Sequence, residues 1–180
     1  MSKFPGRSGK ALLVIDVQNE VVAQAWQRDE VIGNINAVVA KARSAGTPVI
    51  WVQHSDPWLV EGTPAWDIVD ELQPASGEQR IHKHFRSSFE DTSLDVLLEQ
   101  LGAGHLYICG AQTDACIRHT THAALERGYD VTLVRDAHTT TDETGHIPAA
   151  TVIEEQNRNL DGYRLPGRRC EVTPAAAVFA

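Results

Sequence analysis

The chain alternates short, continuously apolar segments with amphipathic stretches, and this alternation constrains its fold more than any other feature. Four apolar segments have the length of buried strands: residues 11–17, 48–54, 105–110 and 130–135. Two weaker strand candidates are residues 80–83 and 169–173. Continuously apolar strands are typical of a sheet that is covered on both faces.

Between these segments, apolar residues recur at helical spacing. The clearest series, six residues from Val31 to Ala42, predicts a helix that Gly46 can end. Further helices are predicted over 94–101, 116–127 and 148–160, the first two stopped by Gly102 and Gly128 and the last with a proline in its first turn. Strands that alternate with helices predict a parallel α/β sheet with right-handed crossovers.

Length, charge and cysteine content limit the class of protein. The 180 residues fit one domain, residues 1–180, and the net charge of −8 argues against nucleic acid or an anionic membrane as the main partner. Three cysteines without a CxxC spacing indicate neither a disulfide framework nor a zinc knuckle. Neither a signal-peptide core nor an apolar run of roughly 20 residues is seen. We therefore expect a cytoplasmic protein that does not enter the membrane.

Three residues with strong chemistry stand at the ends of predicted strands. Asp16 ends the first strand, Lys83 ends the weak third strand, and Cys116 follows the fourth at the start of a helix. Ligands of open parallel sheets bind beyond the carboxyl ends of the strands, where the strand order reverses. If the order is 3-2-1-4-5-6, strands one and four are neighbours at that reversal. Asp16 and Cys116 are then expected to face each other across one crevice.

This arrangement fits nucleophilic catalysis by a thiol. A free thiol has a pKa of about 8.5, and a helix N-terminus together with a nearby ammonium such as Lys83 favours the thiolate. Asp16 can take the thiol proton and later deliver it to a leaving amine. The backbone N–H groups of Gln112 and Cys116 are suited to stabilise the oxyanion formed during attack on a carbonyl group.

Three motifs in order resemble the isochorismatase-like hydrolases, in their cysteine-hydrolase branch. Residues 13–19 (LVIDVQN) are similar to the first strand of that family. Residues 83–89 (KHFRSSF), followed by Thr92, resemble the pattern K-x-x-x-S-x-F-x-x-T. Residues 110–117 (GAQTDACI) resemble the turn G-x-x-T-[DN]-x-C-[VI] that carries the nucleophile, and residues 128–137 with Asn157 also fit.

The resemblance implies a three-layer α/β/α sandwich with a six-stranded parallel sheet. It implies a catalytic triad of Asp16, Lys83 and Cys116 and a cis peptide bond between Ala111 and Gln112. The expected reaction is the cleavage of a C–N bond, in an amide or carbamoyl compound, through a thioester acyl-enzyme. The family also implies a homodimer or a homotetramer.

Two other functions stay open at this point. Family members that lack the cysteine hydrolyse the vinyl ether of isochorismate, for which Asp16 would act as general acid. A catalytically silent binding or assembly module is the third alternative.

No cofactor and no metal are expected. The nicotinamidases of this family have an Asp-x-His metal site where this chain has Val52-Gln53-His54. Cys116, His119 and His122 are spread about 120° around a helix, which is awkward for one shared ion.

The sequence also offers candidates for substrate contact near the strand ends. The segment 55–79 is long and rich in Pro, Gly and Trp, and loops of this length are often functional. The candidates are Gln18, His54, Trp58, Trp66, Phe89 and Ala111. The partner we expect is a small molecule of the amide type, whose identity these side chains do not declare.

Overall fold

A computed structural model describes residues 2–142 and 147–179. The strands are β1 (Gly9–Ile15), β2 (Val49–His54), β3 (Gln79–Lys83), β4 (Ala103–Ala111), β5 (Asp130–Thr139), β6 (Arg164–Leu165) and β7 (Arg168–Thr173). The α-helices are α1 (Arg28–Ser44), α2 (Leu94–Gln100), α3 (Arg118–Arg127) and α4 (Ala149–Leu160). None of the helices in these ranges is long and apolar enough to cross a membrane.

The strands form one sheet in the order β3-β2-β1-β4-β5-β7-β6. All pairings are parallel except that of β6 with β7. The predicted α/β fold and the order of its six parallel strands are confirmed. The predicted number of strands was one short, because Gly167, at φ 78°, allows a tight turn that folds the two-residue β6 back onto β7.

Side chains of β1 alternate between two apolar cores, as period-two strands require. On one face, Leu12 and Val14 pack with the buried residues of α1. On the other face, Leu13 and Ile15 pack with buried residues of α2 and α3. The sheet is therefore covered on both sides, and the continuously apolar strands predicted this three-layer arrangement.

The carboxyl ends of β1 and β4 are paired where Gly110, with φ 120°, lies opposite Ile15. A Cβ atom added to Gly110 would stand 2.0 Å from the carbonyl oxygen of Ile15, so this position accepts only glycine. Strand β1 ends at Ile15, two residues before the predicted end, and Asp16 follows it with φ 52°. The left-handed backbone of Asp16 turns the chain out of the strand at the point where β4 abuts it.

The third helix also differs from its prediction. It was expected to begin at Cys116, but α3 begins at Arg118 and follows a π-helical turn, Thr113–Ile117. Short π-helical turns are frequent at functional sites because they displace side chains from the regular helical path. Cys116 is therefore presented by an irregular turn and not by the first turn of a regular helix.

Candidate active site

Asp16, Lys83 and Cys116 meet at the carboxyl end of the sheet. The ammonium Nζ of Lys83 lies 2.7 Å from Oδ2 of Asp16 and donates a hydrogen bond of 3.2 Å to Sγ of Cys116. The lysine and aspartate side chains are buried at 0% and 1% exposure, whereas Cys116 is half-buried. The three residues that the sequence selected are brought together.

The electrostatics of the thiol differ from the expectation. Burial, and next the charge of Asp16, raise the pKa of Cys116 to about 12, although Lys83 acts in the opposite direction. Burial is the largest cause of this shift, and Lys83, which is paired with Asp16, does not offset it. Cys116 therefore rests as a neutral thiol, and a base must take its proton before the sulfur can attack.

Lys83 keeps its charge in spite of complete burial. Burial disfavours the ammonium, but the neighbouring Asp16 and Cys116 outweigh it and raise the pKa of Lys83. Two further acceptors surround Nζ: the carbonyl oxygen of Phe85 at 3.2 Å and Nδ1 of His54 at 3.4 Å. The ammonium is therefore held in a fixed position among four neighbouring groups.

His54 connects Lys83 to a carboxylate at the rim. Its Nε2 lies 3.3 Å from Oδ2 of Asp56, whose other oxygen accepts 2.7 Å hydrogen bonds from the backbone N–H groups of Trp58 and Leu59. Burial and the charge of Lys83 lower the pKa of His54. A neutral His54 that accepts from Lys83 at Nδ1 must donate to Asp56 from Nε2.

A second set of buried polar groups supports the Thr113–Ile117 turn. His138 lies between Thr113 Oγ1, 2.9 Å from its Nδ1, and Asn157 Oδ1, 2.9 Å from its Nε2. Asn157 also donates to the carbonyl oxygen of Arg135 at 3.1 Å. Burial lowers the pKa of His138 to about 4, so this chain of groups is neutral. The peptide bond between Ala111 and Gln112, just before the turn, is cis.

A cavity of about 330 Å³ opens onto the triad. Its size is at the lower end of the range of small-molecule sites, roughly 300–1,000 Å³. The residues that line it are Asp16, Glu20, Val21, His54, Asp56, Trp58, Leu59, Gln112, Ala115 and Cys116. Three predicted residues outside the triad, His54, Trp58 and Gln112, are therefore at the cavity.

Four predicted contact residues are not at this cavity. Gln18 is fully buried, and its side-chain amide is bonded to the backbone of His54 and Trp66. The ring of Trp66 is buried against His82. These two residues hold the 55–79 segment against β2, so their side chains serve packing.

The other two belong to the apolar cores. Phe89 packs between the ring of Tyr129 and the guanidinium of Arg127. Ala111 is fully buried in the core on the α1 side. Phe89 stands within a family motif and Ala111 stands beside Gln112, and neither position shows which way a side chain faces.

The cavity also includes residues that the sequence reasoning missed: Glu20, Val21, Asp56, Leu59 and Ala115. Glu20 follows Asp16 by four residues and Asp56 follows β2 by two. Position just beyond a strand end is thus the one signal by which they could have been found.

The two histidines that the sequence places near Cys116 have other contacts. His119 binds the carbonyl oxygen of Ala115, and His122 packs edge-on against Tyr163. No three His, Cys, Asp or Glu side chains in ranges 2–142 and 147–179 could hold a metal ion.

Curated relatives match along most of the chain. A streptothricin hydrolase of Streptomyces noursei is 36% identical over 93% of this chain, and the chain spans 63% of the length of that enzyme. A ureidoacrylate amidohydrolase of Klebsiella pneumoniae is 30% identical over 71% of this chain and 72% of its own length. These named relatives are hydrolases, the class that the sequence predicted.

Solved structures match the fold. An isochorismatase from Pseudomonas putida superposes with a TM-score of 0.84 at 29% identity, covering 95% of this chain and 90% of its own. An N-carbamoylsarcosine amidase from Thermoplasma acidophilum superposes with a TM-score of 0.76 at 25% identity, covering 94% of this chain and 98% of its own. The sequence model of the isochorismatase domain family matches residues 10–158 of this chain. The chain therefore belongs to the isochorismatase family, as the three motifs predicted.

Proposed function

We propose that this chain is an amidohydrolase that cleaves a C–N bond of a small amide or carbamoyl compound, with Cys116 as the nucleophile. The observation that carries the proposal is the contact of one buried ammonium, Lys83, with both the Asp16 carboxylate and the Cys116 sulfur. The amidohydrolase and amidase among the relatives support the same bond type. The presence of the thiol beside the cavity favours this reaction over vinyl-ether hydrolysis.

In the first half-reaction, Asp16 takes the proton of the Cys116 thiol as the sulfur attacks the substrate carbonyl carbon. The carbonyl electrons move to oxygen, and the backbone N–H groups of Gln112 and Cys116 stabilise the oxyanion. The tetrahedral intermediate collapses, the C–N bond breaks, and Asp16 returns its proton to the leaving nitrogen. Ammonia or an amine departs and a thioester remains.

In the second half-reaction, Asp16 takes a proton from water, which attacks the thioester carbon. The C–S bond breaks, the acid is released, and the proton returns to sulfur. Lys83 stays positively charged throughout and stabilises negative charge on Asp16 or on sulfur. The neutral resting thiol is consistent with this cycle, because proton transfer to Asp16 accompanies attack.

The test compares wild type with Cys116→Ala and Cys170→Ala on small primary amides, carbamoyl compounds and lactams. Ammonia or amine release and the mass of the intact protein are measured. We expect turnover and a trapped acyl adduct in wild type and in Cys170→Ala, and neither in Cys116→Ala. Turnover by Cys116→Ala would overturn the mechanism.

The other candidate functions are tested by two further measurements. Isochorismate hydrolysis that survives Cys116→Ala would favour vinyl-ether chemistry by Asp16. If iodoacetamide modifies Cys116 no faster than the buried Cys109 or Cys170, a catalytically silent binding or assembly module is favoured. We also propose a homodimer or homotetramer, to be measured by light scattering coupled to size-exclusion chromatography.

A further inference from the structure

The wall of the cavity beside Cys116 carries an excess of negative charge. Its lining includes three carboxylates: Asp16, Glu20 and Asp56. The charge of Asp16 is balanced by Lys83, whereas Glu20 has no ion-pair partner within residues 2–142 and 147–179. No lysine or arginine is among the lining residues that the structure describes.

The rim carboxylate of Asp56 is held in place. Two backbone N–H groups fix one of its oxygens, and the other faces His54. These backbone bonds lower the pKa of Asp56 although burial opposes them, so it stays ionised at neutral pH. Because His54 is neutral, it does not cancel this charge. Glu20 and Asp56 therefore leave about two uncompensated negative charges at the mouth of the cavity.

Two further features of the cavity indicate what it binds. The side chain of Trp58 lines the rim and is 91% exposed, so the face of its indole is available to a ligand. Oδ1 of Asp16 is buried and accepts no hydrogen bond from the described part of the chain. An aromatic face attracts organic cations, and a buried acceptor that is unpaired in the resting site can accept an N–H or O–H group of the ligand.

We propose that the substrate is an amide or carbamoyl compound that carries an ammonium or guanidinium group, which Glu20, Asp56 and Trp58 bind while the scissile carbonyl lies at Cys116. This inference names the substrate class of the proposed amidohydrolase site and rests on that function. The same carboxylates disfavour an anionic substrate, because like charges repel each other.

The charge of the cavity can be measured without any turnover. Methanethiosulfonate reagents form a disulfide with a thiolate and release methanesulfinate, and they are available with a trimethylammonium group or with a sulfonate group. The experiment measures the rate ratio of these two reagents at Cys116, by peptide mass spectrometry, relative to their ratio with 2-mercaptoethanol. A carboxylate about 8 Å from the charged group of the reagent, in water, attracts the cationic reagent and repels the anionic one, which changes this ratio about fivefold. Two carboxylates therefore give an expected preference for the cation above about tenfold.

Variants and salt identify the origin of that preference. Glu20→Gln and Asp56→Asn are each expected to lower the ratio about fivefold at low salt, and about 1 M salt to bring it near one. Glu30→Gln, which removes a carboxylate of α1 away from this cavity, is the matched control and should leave the ratio unchanged. A ratio of one or less, or a ratio insensitive to both cavity variants, would overturn the proposal.

Turnover then tests the substrate itself. Trimethylammonioacetamide and 3,3-dimethylbutanamide have the same shape and differ in charge. The ratio of their kcat/KM values is compared between wild type and Glu20→Gln, so that the difference in intrinsic reactivity of the two amides cancels. We expect Glu20→Gln to lower the ratio, and Trp58→Leu to lower it about two- to fivefold. An unchanged ratio with Cys116-dependent turnover contradicts only the cationic substrate. A high thiosulfonate ratio with no amide cleaved by wild type contradicts only the proposed amidohydrolase function.

Discussion

Two groups of buried polar side chains each include a residue of the Thr113–Ile117 turn, and they differ in charge and in whether their hydrogen-bonding atoms have partners. The triad of Asp16, Lys83 and Cys116 is charged, faces a cavity, and leaves Oδ1 of Asp16 without a donor in the described chain. The chain of Thr113, His138 and Asn157 is neutral, and both ring nitrogens of His138 have partners. Both groups are costly to bury, but only the first retains unused bonding capacity.

This difference distinguishes the side chains that can react from those that hold the backbone in place. The neutral series of Thr113, His138 and Asn157 fixes the position of the turn, and its ring nitrogens have no free hydrogen-bonding capacity for a ligand. A charged cluster with a free acceptor and a proton on sulfur can bind and react, at the cost of stability when one member is lost. The comparison predicts that substitutions in the triad and in the neutral chain have effects of different size and kind.

The largest effect is expected from Lys83→Met, which leaves the Asp16 carboxylate buried without its cation. We expect the free energy of unfolding, measured in urea at neutral pH, to fall by about 3–5 kcal/mol. The matched variant is Asp16→Asn/Lys83→Met, because asparagine tolerates the left-handed backbone at position 16. It should regain at least half of the loss while remaining inactive. A loss below about 1 kcal/mol in the single variant would contradict a charged triad.

Thr113→Val tests the neutral chain. The change keeps the shape of the side chain but removes the donor to Nδ1 of His138, so we expect a loss of about 1–3 kcal/mol in the free energy of unfolding. Thr121→Val is the control, because Thr121 is equally buried and its hydroxyl has no partner among the described residues. It should cost nothing. Equal losses in the two variants would show that the hydrogen bond to His138 contributes no stability.

The pH dependence of stability should reveal His138. Its pKa is about 4 when folded and about 6.5 when unfolded, so between these values the unfolded chain binds the extra proton. Stability therefore falls as the pH drops through this window, by about 2 kcal/mol between about pH 7 and pH 5 for this group alone. Urea unfolding of His138→Gln should show a correspondingly smaller loss over the same interval. Identical pH profiles would argue against a buried neutral histidine.

The smallest effect is expected from His54→Gln. Lys83 keeps Asp16, Cys116 and the Phe85 carbonyl as neighbours, so the free energy of unfolding should change by less than about 1 kcal/mol. Turnover should fall less than tenfold, since proton transfer runs between Asp16 and sulfur. A stability loss as large as that of Lys83→Met would place His54 within the charged cluster.

The sequence predicted the fold and the central site through local patterns. Apolar runs located four of the parallel strands and weaker patterns the other two, and the position of Asp16, Lys83 and Cys116 at strand ends predicted a common crevice. The sequence failed for Gln18 and Phe89, which belong to the motifs but whose side chains are buried. Motif position shows where the backbone runs, whereas the packing of distant segments decides which way a side chain points.

What the sequence alone determined is the alternation of strands and helices, the family, and the three residues with strong chemistry. The tertiary structure decided the rest. It showed that Lys83 contacts both Asp16 and Cys116, and that burial and the charge of Asp16 raise the pKa of the thiol, which favours its protonated form. It also placed Glu20 and Asp56 among the residues that line one cavity. The physical reason is that pKa values and pocket charge depend on distances and burial between segments far apart in the chain, which no local pattern contains.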